Sequence, residues 1–266
     1  MEEEFQRSQF RFGRINCPTL LAESYRLRYQ VYCKERGFLQ AAAYPCGMET
    51  DFYDDDALHF AALGEDGHMA GTVRLVGARN RHYPLQEKCA LDIAIPPHTA
   101  EVSRLAVTRG HDRFAISAGD EFLSQGSLHD QSSRLQSADE RRWQSELAIG
   151  LYKVIYREAK LQGIQYFLAA MEGSLARMLI RFQLPFKPVG PVVDYYGKVQ
   201  PFLLCLSECE QNFARLVPGM FEDFTHGVLE VPPKLYAAST HTSIPASLNS
   251  SLNTSPNTSA TIYEIN

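Results

Sequence analysis

Residues 101–107, with the sequence Glu-Val-Ser-Arg-Leu-Ala-Val, place a carboxylate and a guanidinium three positions apart in an otherwise apolar, strand-like run. A half-buried strand normally alternates apolar and polar residues. An ionised side chain in such a strand must be paired or used, because burying it unpaired costs several kcal/mol or shifts its pKa. Two interpretations stay open at this point. Glu101 and Arg104 form a structural ion pair near a sheet edge, or they belong to a catalytic site.

Further charged and aromatic side chains precede this strand. In chain order they are Arg28 and Tyr32 on a predicted helix, Phe38 just past its end, Asp51 and Asp54 in a loop, and Arg74 on a predicted strand. Arg28 and Tyr32 are four residues apart and therefore share one helical face. A planar guanidinium binds a carboxylate through two parallel hydrogen bonds. We therefore expect one of the three arginines to hold a substrate carboxylate while the two aspartates orient the others.

Each of these residues also has a plain structural explanation. Asp51 and Asp54 suit a loop in which acids cap a turn. The two aromatic residues suit ordinary core packing. Glu101 suits a salt-bridge partner of Arg104 or Arg74, because structural ion-pair networks perturb pKa values just as catalytic sites do.

The order of arginine, aromatic residue, two aspartates, arginine, glutamate and arginine, with these spacings, resembles the acyl-homoserine lactone (autoinducer) synthases. It resembles more closely the long-chain N-acyl amino acid synthases, including the acyltransferases associated with the bacterial PEP-CTERM/exosortase system. Both groups belong to the GNAT N-acyltransferase superfamily. The resemblance covers roughly residues 20–206. It implies an α/β fold with a mixed, mostly antiparallel central sheet flanked by helices.

A thioester-dependent N-acyltransferase must bring an amine to the thioester carbonyl, remove a proton from the amine and stabilise the oxyanion that forms. The resemblance implies that Glu101 is the base, acting directly or through a water, and that Arg104 and Arg74 complete the catalytic set. The substrate-binding set that it implies is Arg28, Tyr32, Phe38, Asp51, Asp54 and Ser103.

Glu101 and Arg104 differ in parity, so a regular strand would direct them to opposite faces of the sheet. A β-bulge that inserts one residue would bring both to one side. The resemblance implies such a bulge in the fourth strand. Without it, one of the two residues would leave the site.

The segment after this strand indicates which type of acyl donor the protein uses. Acetyl-CoA-dependent relatives carry Q/R-x-x-G-x-G/A there, a loop whose backbone amides hold the pyrophosphate. Residues 109–115, Arg-Gly-His-Asp-Arg-Phe-Ala, lack that glycine spacing. This favours acyl carrier protein as the donor, with a phosphopantetheine-linked acyl thioester and no permanently bound cofactor.

Two further segments bear on the donor. Between residues 5 and 36, seven basic residues face two acidic ones, which predicts either a surface for the acidic carrier protein or a solvated helix face. Residues 166–171 and the helix after them are apolar enough to line a site for a long acyl chain. Plain core packing is the alternative for that segment.

Composition excludes several classes of protein. The chain has 266 residues, 45% of them hydrophobic, which is enough for one sizeable core. A net charge of -5 argues against nucleic-acid binding. The six cysteines are scattered without zinc-site spacing, so we expect free thiols in a reducing cytosol and no metal. No apolar stretch reaches the ~18 residues of a membrane span, and no signal-peptide pattern opens the chain. We expect a cytoplasmic protein.

Three regions are predicted along the chain. Residues 1–15 are a polar lead-in with a short strand at 10–12, residues 16–231 form the acyltransferase domain, and residues 232–266 form a Ser/Thr/Asn-rich tail. Such a tail buries too little apolar surface to offset its ordering entropy, so we expect it to be disordered or docked through residues 262–263 alone. Periodicity predicts helices at 18–36, 143–162, 173–184 and 209–221, and strands at 59–63, 69–76, 101–107, 166–171, 189–193 and 199–206.

The sequence thus predicts an N-acyltransferase that moves a long acyl chain from acyl carrier protein to the α-amine of an amino acid. One alternative is an autoinducer synthase that uses S-adenosylmethionine as acceptor. Those enzymes usually have Trp where Phe38 falls and Phe where Tyr32 falls. The other alternative is a catalytically silent GNAT-like binding module.

Overall fold

A computed structural model describes residues 10–77, 82–108, 130–195, 197–226 and 262–263. The strands are β1 (Phe10–Ile15), β2 (Leu58–Gly64), β3 (Met69–Val76), β4 (Thr99–Val107), β5 (Tyr166–Glu172), β6 (Lys187–Pro188), β7 (Val193–Asp194), β8 (Lys198–Cys205) and β9 (Ile262–Tyr263). The helices are α1 (Pro18–Tyr29), α2 (Asp130–Leu161), α3 (Gly173–Arg181), α4 (Leu206–Leu216) and α5 (Pro218–Thr225). This is the predicted mixed α/β architecture.

The strands form one open sheet in the order β6-β8-β5-β4-β3-β2-β1-β9, with β7 also paired to β8. The β4–β5 pair is parallel, and the other pairs are antiparallel. The predicted mostly antiparallel sheet is therefore confirmed. None of the described helices is long and apolar enough to cross a membrane. All six cysteines are free thiols, as expected.

Two helices cover opposite faces of the sheet. Leu147, Leu151 and Ile155 of α2 are fully buried in the main core, together with Phe60 and Val73 of the sheet. On the other face, α1 contributes a second core cluster built from Leu20, Leu27, Val31, Ala61, Leu63, Met69 and Ala106. From Gly71 onward β3 alternates with period two, and Val73 and Leu75 pack in the main core as the sequence predicted. A register shift against β2 breaks the alternation before Gly71, because Met69 belongs to the α1 cluster and Ala70 to the main core.

The segment after α1 changes its helical geometry. Pro18 lies in the first turn of α1, where its missing N–H costs nothing. Residues Gln30–Glu35 form a π-helical turn, and the amide of Arg36 bonds to the carbonyl of Val31. Gly37 then ends the helix with a φ of 62°, as predicted. Turns of this wide type occur frequently at functional sites.

Several element boundaries differ from the prediction. The polar connection predicted up to about residue 140 is helical from Asp130, so α2 is much longer than expected. Residues 130–142 contain no glycine or proline, and a chain of this kind can continue a helix although it is poor in apolar residues. The final predicted helix is two helices, because Pro218 begins a new one after α4. The strand predicted at 189–193 is reduced to β6 and β7 on either side of an irregular segment.

The tail docks where one of the two expectations placed it. Ile262 and Tyr263 pair antiparallel with Ile15 and Arg14 of β1, at the sheet edge. The rest of the predicted tail, residues 109–115 and the first nine residues of the lead-in lie outside the described residues. Strand β1 extends the short strand predicted at 10–12.

Candidate active site

The predicted β-bulge is present in β4. Thr72 of β3 faces Ala106 and Arg74 faces Ser103, so two residues of β3 span the same length as three of β4. The extra residue lies at Arg104, whose φ of 54° is left-handed and rare for a side chain of this size. The bulge brings Arg104 to the face that carries Arg74 and, two residues before Ser103, Glu101.

Six charged side chains form a closed ring on the α1 face. Arg28 pairs with Glu49 (2.5 Å) and Asp54 (2.7 Å), and Arg74 pairs with Asp54 (2.8 Å) and Asp51 (2.5 Å). Arg104 pairs with Asp51 at 2.8 Å and with Glu49 at 3.1 Å, which closes the ring. Each arginine therefore lies between two carboxylates, and each carboxylate lies between two arginines. We call this arrangement the charge ring.

The charge ring is deeply buried. Arg28, Arg74 and Glu49 expose 1%, 0% and 0% of their surface. Burial opposes the charge of Arg28, but its bonds to Asp54 and Glu49 outweigh that effect and raise the Arg28 pKa. Burial likewise opposes ionisation of Asp54, yet Arg28 and Arg74 hold the Asp54 pKa well below its usual range. Pairing thus favours the charged forms of Arg28 and Asp54, and removing a member of the ring would leave a buried neighbour with one fewer partner.

The loop acids also organise their own loop. The amide of Asp51 donates to Asp54 Oδ2 at 2.7 Å, and the amide of Tyr53 donates to Asp51 Oδ1 at 2.9 Å. The turn-capping interpretation of Asp51 and Asp54 is therefore confirmed, and their role in a substrate site stays a prediction. The two carboxylates cap a turn and orient the arginines, which fixes the loop against the sheet.

Glu49 is a ring member that the sequence analysis missed. It binds the Nε atoms of both Arg28 and Arg104. The signal was the acid-rich spacing Glu49-x-Asp51-x-x-Asp54. Nothing in a loop sequence shows which of its acids will be buried, so Glu49 could not be separated from the solvated acids beside it.

Glu101 lies outside the charge ring. It is 2% exposed and accepts a hydrogen bond from the amide of Leu85 at 2.9 Å. It makes no ion pair with Arg74 or Arg104, so it is not the salt-bridge partner that one interpretation expected. Burial raises its pKa to about 8, although the Leu85 amide and the two arginines work in the opposite direction. A carboxyl group with this pKa changes protonation near neutral pH, as a general base must.

Tyr32 and Ser103 join the site directly. The hydroxyl of Tyr32 donates to the carbonyl of Leu105 at 3.0 Å, and the Arg104 guanidinium lies 5.9 Å from the centre of the Tyr32 ring. Burial raises the pKa of Tyr32 to about 12, so it stays a neutral donor. Ser103 Oγ accepts a hydrogen bond from Arg74 Nε at 3.1 Å.

Phe38 lies apart from the charge ring. Its neighbours are the Arg36 guanidinium, 5.7 Å from the ring centre, and Gly197 in the β7–β8 turn. A Cβ on Gly197 would come within 3.0 Å of the Phe38 ring, and its φ of 83° also favours glycine. Arg36 in turn pairs with Glu172 at the end of β5. Phe38 thus connects the segment after α1 to the far end of β5.

Strands β4 and β5 separate beside Glu101. Their parallel pairing covers Thr99–Tyr166, Ala100–Phe167 and Glu101–Leu168, and ends there although both strands continue. The edges of β4 and β5 beyond this point face each other without pairing, so their backbone groups can bind an extended ligand. The pairing of the two strands therefore ends at Glu101, three residues before the bulge at Arg104.

Part of the chain is similar to a known protein family. Residues 27–118 match the family described as acetyltransferase (GNAT) domain. The matched part of the chain is therefore similar to a GNAT domain, and it contains the end of α1 together with β2, β3 and β4. No curated protein sequence matches it significantly.

Solved structures agree with the GNAT fold. A CoA-dependent acyl-homoserine lactone synthase, BjaI, with SAM and isopentyl-CoA superposes with a TM-score of 0.53 at 19% identity, over 77% of this chain and 89% of that one. TofI, in a ternary complex with an inhibitor and MTA, gives 0.52 at 19% identity over 76% and 96% of the two chains. FeeM, an N-acyl amino acid synthase from uncultured soil microbes, gives 0.48 at 12% identity over 77% and 96%. At these identities the first two superpositions show the fold.

The apolar segment predicted to line an acyl-chain site is packed core. Phe167, Leu168 and Met171 of β5, predicted as a wall for an acyl chain, are buried in two core clusters. A cavity of about 1040 Å³ lies instead on the α2 face, and its apolar wall includes Phe12, Ile149, Met178 and Phe182. That cavity contains no member of the charge ring. No group of three or more metal-ligating side chains was found among the described residues.

Proposed function

We propose that this GNAT domain transfers a long-chain acyl group from acyl carrier protein to the α-amine of an amino acid. The observation that carries the proposal is Glu101. It is a buried carboxyl group with a pKa near 8, placed where the pairing of β4 and β5 ends and close enough to Arg74 and Arg104 for both to lower its pKa. The acceptor amine requires a general base, and the acceptor carboxylate requires a guanidinium group. The pantetheine arm of the donor requires an open strand edge.

In the proposed reaction, the ionised Glu101 takes one proton from the acceptor ammonium group. The neutral amine then attacks the thioester carbonyl, and an oxyanion forms on the carbonyl oxygen. As the carbon–sulfur bond breaks, the nitrogen loses a second proton and the thiolate leaves as a thiol. Glu101 returns its proton to solvent, and the amide product remains.

The donor arm is proposed to run along the free edges of β4 and β5. Phosphopantetheine carries two amide groups, which pair with a strand edge much as a peptide does. Of the seven basic residues predicted as a carrier surface, Arg28 belongs to the buried charge ring and Arg14 pairs with Glu158. Arg26, Lys34 and Arg36 are exposed along α1 and the π-helical turn that follows it. These three residues support docking of an acidic carrier protein.

A second candidate is an acyl-homoserine lactone synthase. The likeness to BjaI, whose structure holds SAM and isopentyl-CoA, favours testing S-adenosylmethionine as acceptor and acyl-CoA as donor. Tyr32 and Phe38 count against this candidate, because the resemblance would place Phe and Trp at these positions.

An assay of the purified chain separates the candidates. Acyl carrier protein thioesters and acyl-CoA are each offered with the twenty amino acids or with S-adenosylmethionine, and products are identified by mass spectrometry. N-acyl amino acids formed from the carrier thioester support the proposal, and acyl lactones support the second candidate. Glu101→Gln is the control, and we expect it to lose at least about 100-fold in kcat. Absence of both products would mean that the domain is a binding module.

A further inference from the structure

Arg74 has one buried donor that the charge ring does not use. Its Nη1 bonds to Asp51 and Asp54, and its Nε bonds to Ser103. Its Nη2 is completely buried and has no hydrogen-bond partner among the residues that the structure describes. Arg28, in contrast, uses all three of its nitrogens on Glu49 and Asp54. A buried guanidinium donor without an acceptor costs free energy, and a bound oxygen would recover it.

Ser103 provides a second donor on the same side of Arg74. The Nε and Nη2 hydrogens of a guanidinium point along one common edge. Ser103 Oγ lies on that edge as the acceptor of Nε, and its own hydroxyl proton meets no acceptor in the described part of the chain. Ser103 is half-buried, so the edge combines a partly accessible hydroxyl with the fully enclosed Nη2 of Arg74. One oxygen placed there would accept from both Arg74 Nη2 and Ser103 Oγ.

The edge lies at a suitable distance from the proposed base. Glu101 and Ser103 are two residues apart on the same face of β4, before the bulge, which puts their Cα atoms about 7 Å apart. The amine and the carboxylate of an α-amino acid are attached to one carbon. A single acceptor molecule can therefore reach Glu101 with its nitrogen and the Arg74–Ser103 edge with its carboxylate.

We propose that Arg74 Nη2 and the Ser103 hydroxyl together bind one carboxylate oxygen of the acceptor amino acid. This assignment rests on the proposed function. It selects Arg74 from the three arginines and gives Ser103 the role of a specificity residue. The site should accept a free α-amino acid in preference to the same compound with its carboxylate blocked.

The test compares an accepted amino acid with its carboxamide in steady-state kinetics. Ser103→Ala should raise KM for the amino acid about tenfold, the usual effect of losing one hydrogen bond to a charged group, and leave KM for the carboxamide nearly unchanged. Ser103→Thr keeps the hydroxyl and should restore most of the affinity. Ser24→Ala, which removes a buried hydroxyl bonded within α1, should change neither KM.

Each other outcome has a distinct meaning. If Ser103→Ala lowers kcat equally with both acceptors, Arg74 Nη2 and the Ser103 hydroxyl bind the thioester oxygen instead. That result would overturn the assignment. Unchanged kinetics would overturn it as well. If the wild-type chain forms no N-acyl amino acid from any acceptor, the proposed function fails, and the assignment fails with it.

Discussion

A buried carboxyl group such as Glu101 affects stability as well as catalysis. Its pKa is raised from an ordinary 4.5 to about 8, so between these values the folded protein binds a proton that the unfolded chain releases. The free energy of unfolding therefore falls as pH rises through this window.

Glu101→Gln removes this dependence, because glutamine cannot ionise. We expect the variant to gain stability relative to wild type between pH 5 and pH 9, by an amount on the order of a few kcal/mol. Urea unfolding of both proteins at the two pH values measures the difference. An equal pH dependence of the two proteins would contradict the raised pKa.

A substitution of Glu49 measures how much one carboxylate of the charge ring contributes to the stability of the fold. Glu49→Gln keeps the shape but removes one carboxylate partner from Arg28 and one from Arg104. We expect a loss of about 3 kcal/mol in the free energy of unfolding, as for other broken buried ion pairs. Glu65→Gln, at an exposed turn, is the matched control and should change stability by less than about 0.5 kcal/mol. A loss no larger than that of the control would mean that the ring tolerates a missing charge.

At the scale of elements, the bulge of β4 is held in an unusual conformation. Arg104 has a φ of 54°, where a residue with a Cβ is strained and glycine is not. Arg104→Gly and Arg104→Ala both remove the guanidinium from the charge ring, so their difference isolates the backbone.

We expect the glycine variant to be the more stable by about 1 kcal/mol, measured by denaturant unfolding. At a regular strand position the order would be reversed, because glycine weakens strands. The reversed order would therefore mean that the bulge relaxes when the guanidinium is lost.

The bulge of β4 also shows which features of the site could be predicted from the sequence and which could not. Parity along β4 was enough to predict that Glu101 and Arg104 share a face only through an inserted residue, and the alternation of β3 placed Arg74 correctly. The start of α2 could not be predicted, because a polar segment without glycine or proline fits both a helix and a loop. Glu49 was missed because its burial depends on how its loop folds onto α1, and that contact leaves no local pattern.

At the scale of the whole molecule, the α/β class followed from the order of apolar segments, and the mostly antiparallel character of the sheet followed from the resemblance. We expected five charged residues that are far apart in the sequence to converge, and the structure brings them together. They are Arg28, Asp51, Asp54, Arg74 and Arg104. The separation of β4 from β5 is a property of the assembled sheet. It could not be predicted from either strand alone.

The closed ring has a consequence for how small molecules reach it. Three positive and three negative groups alternate around a circuit, so their long-range electrostatic fields largely cancel beyond a few ångströms. A zwitterionic acceptor would then be captured by short-range contacts and gain no steering from a distance. We expect its KM to stay constant between about 50 and about 500 mM sodium chloride, while the KM for an acidic carrier protein rises. Kinetics at several ionic strengths measure both values, and a strong salt effect on the acceptor would mean that unbalanced charge surrounds the site.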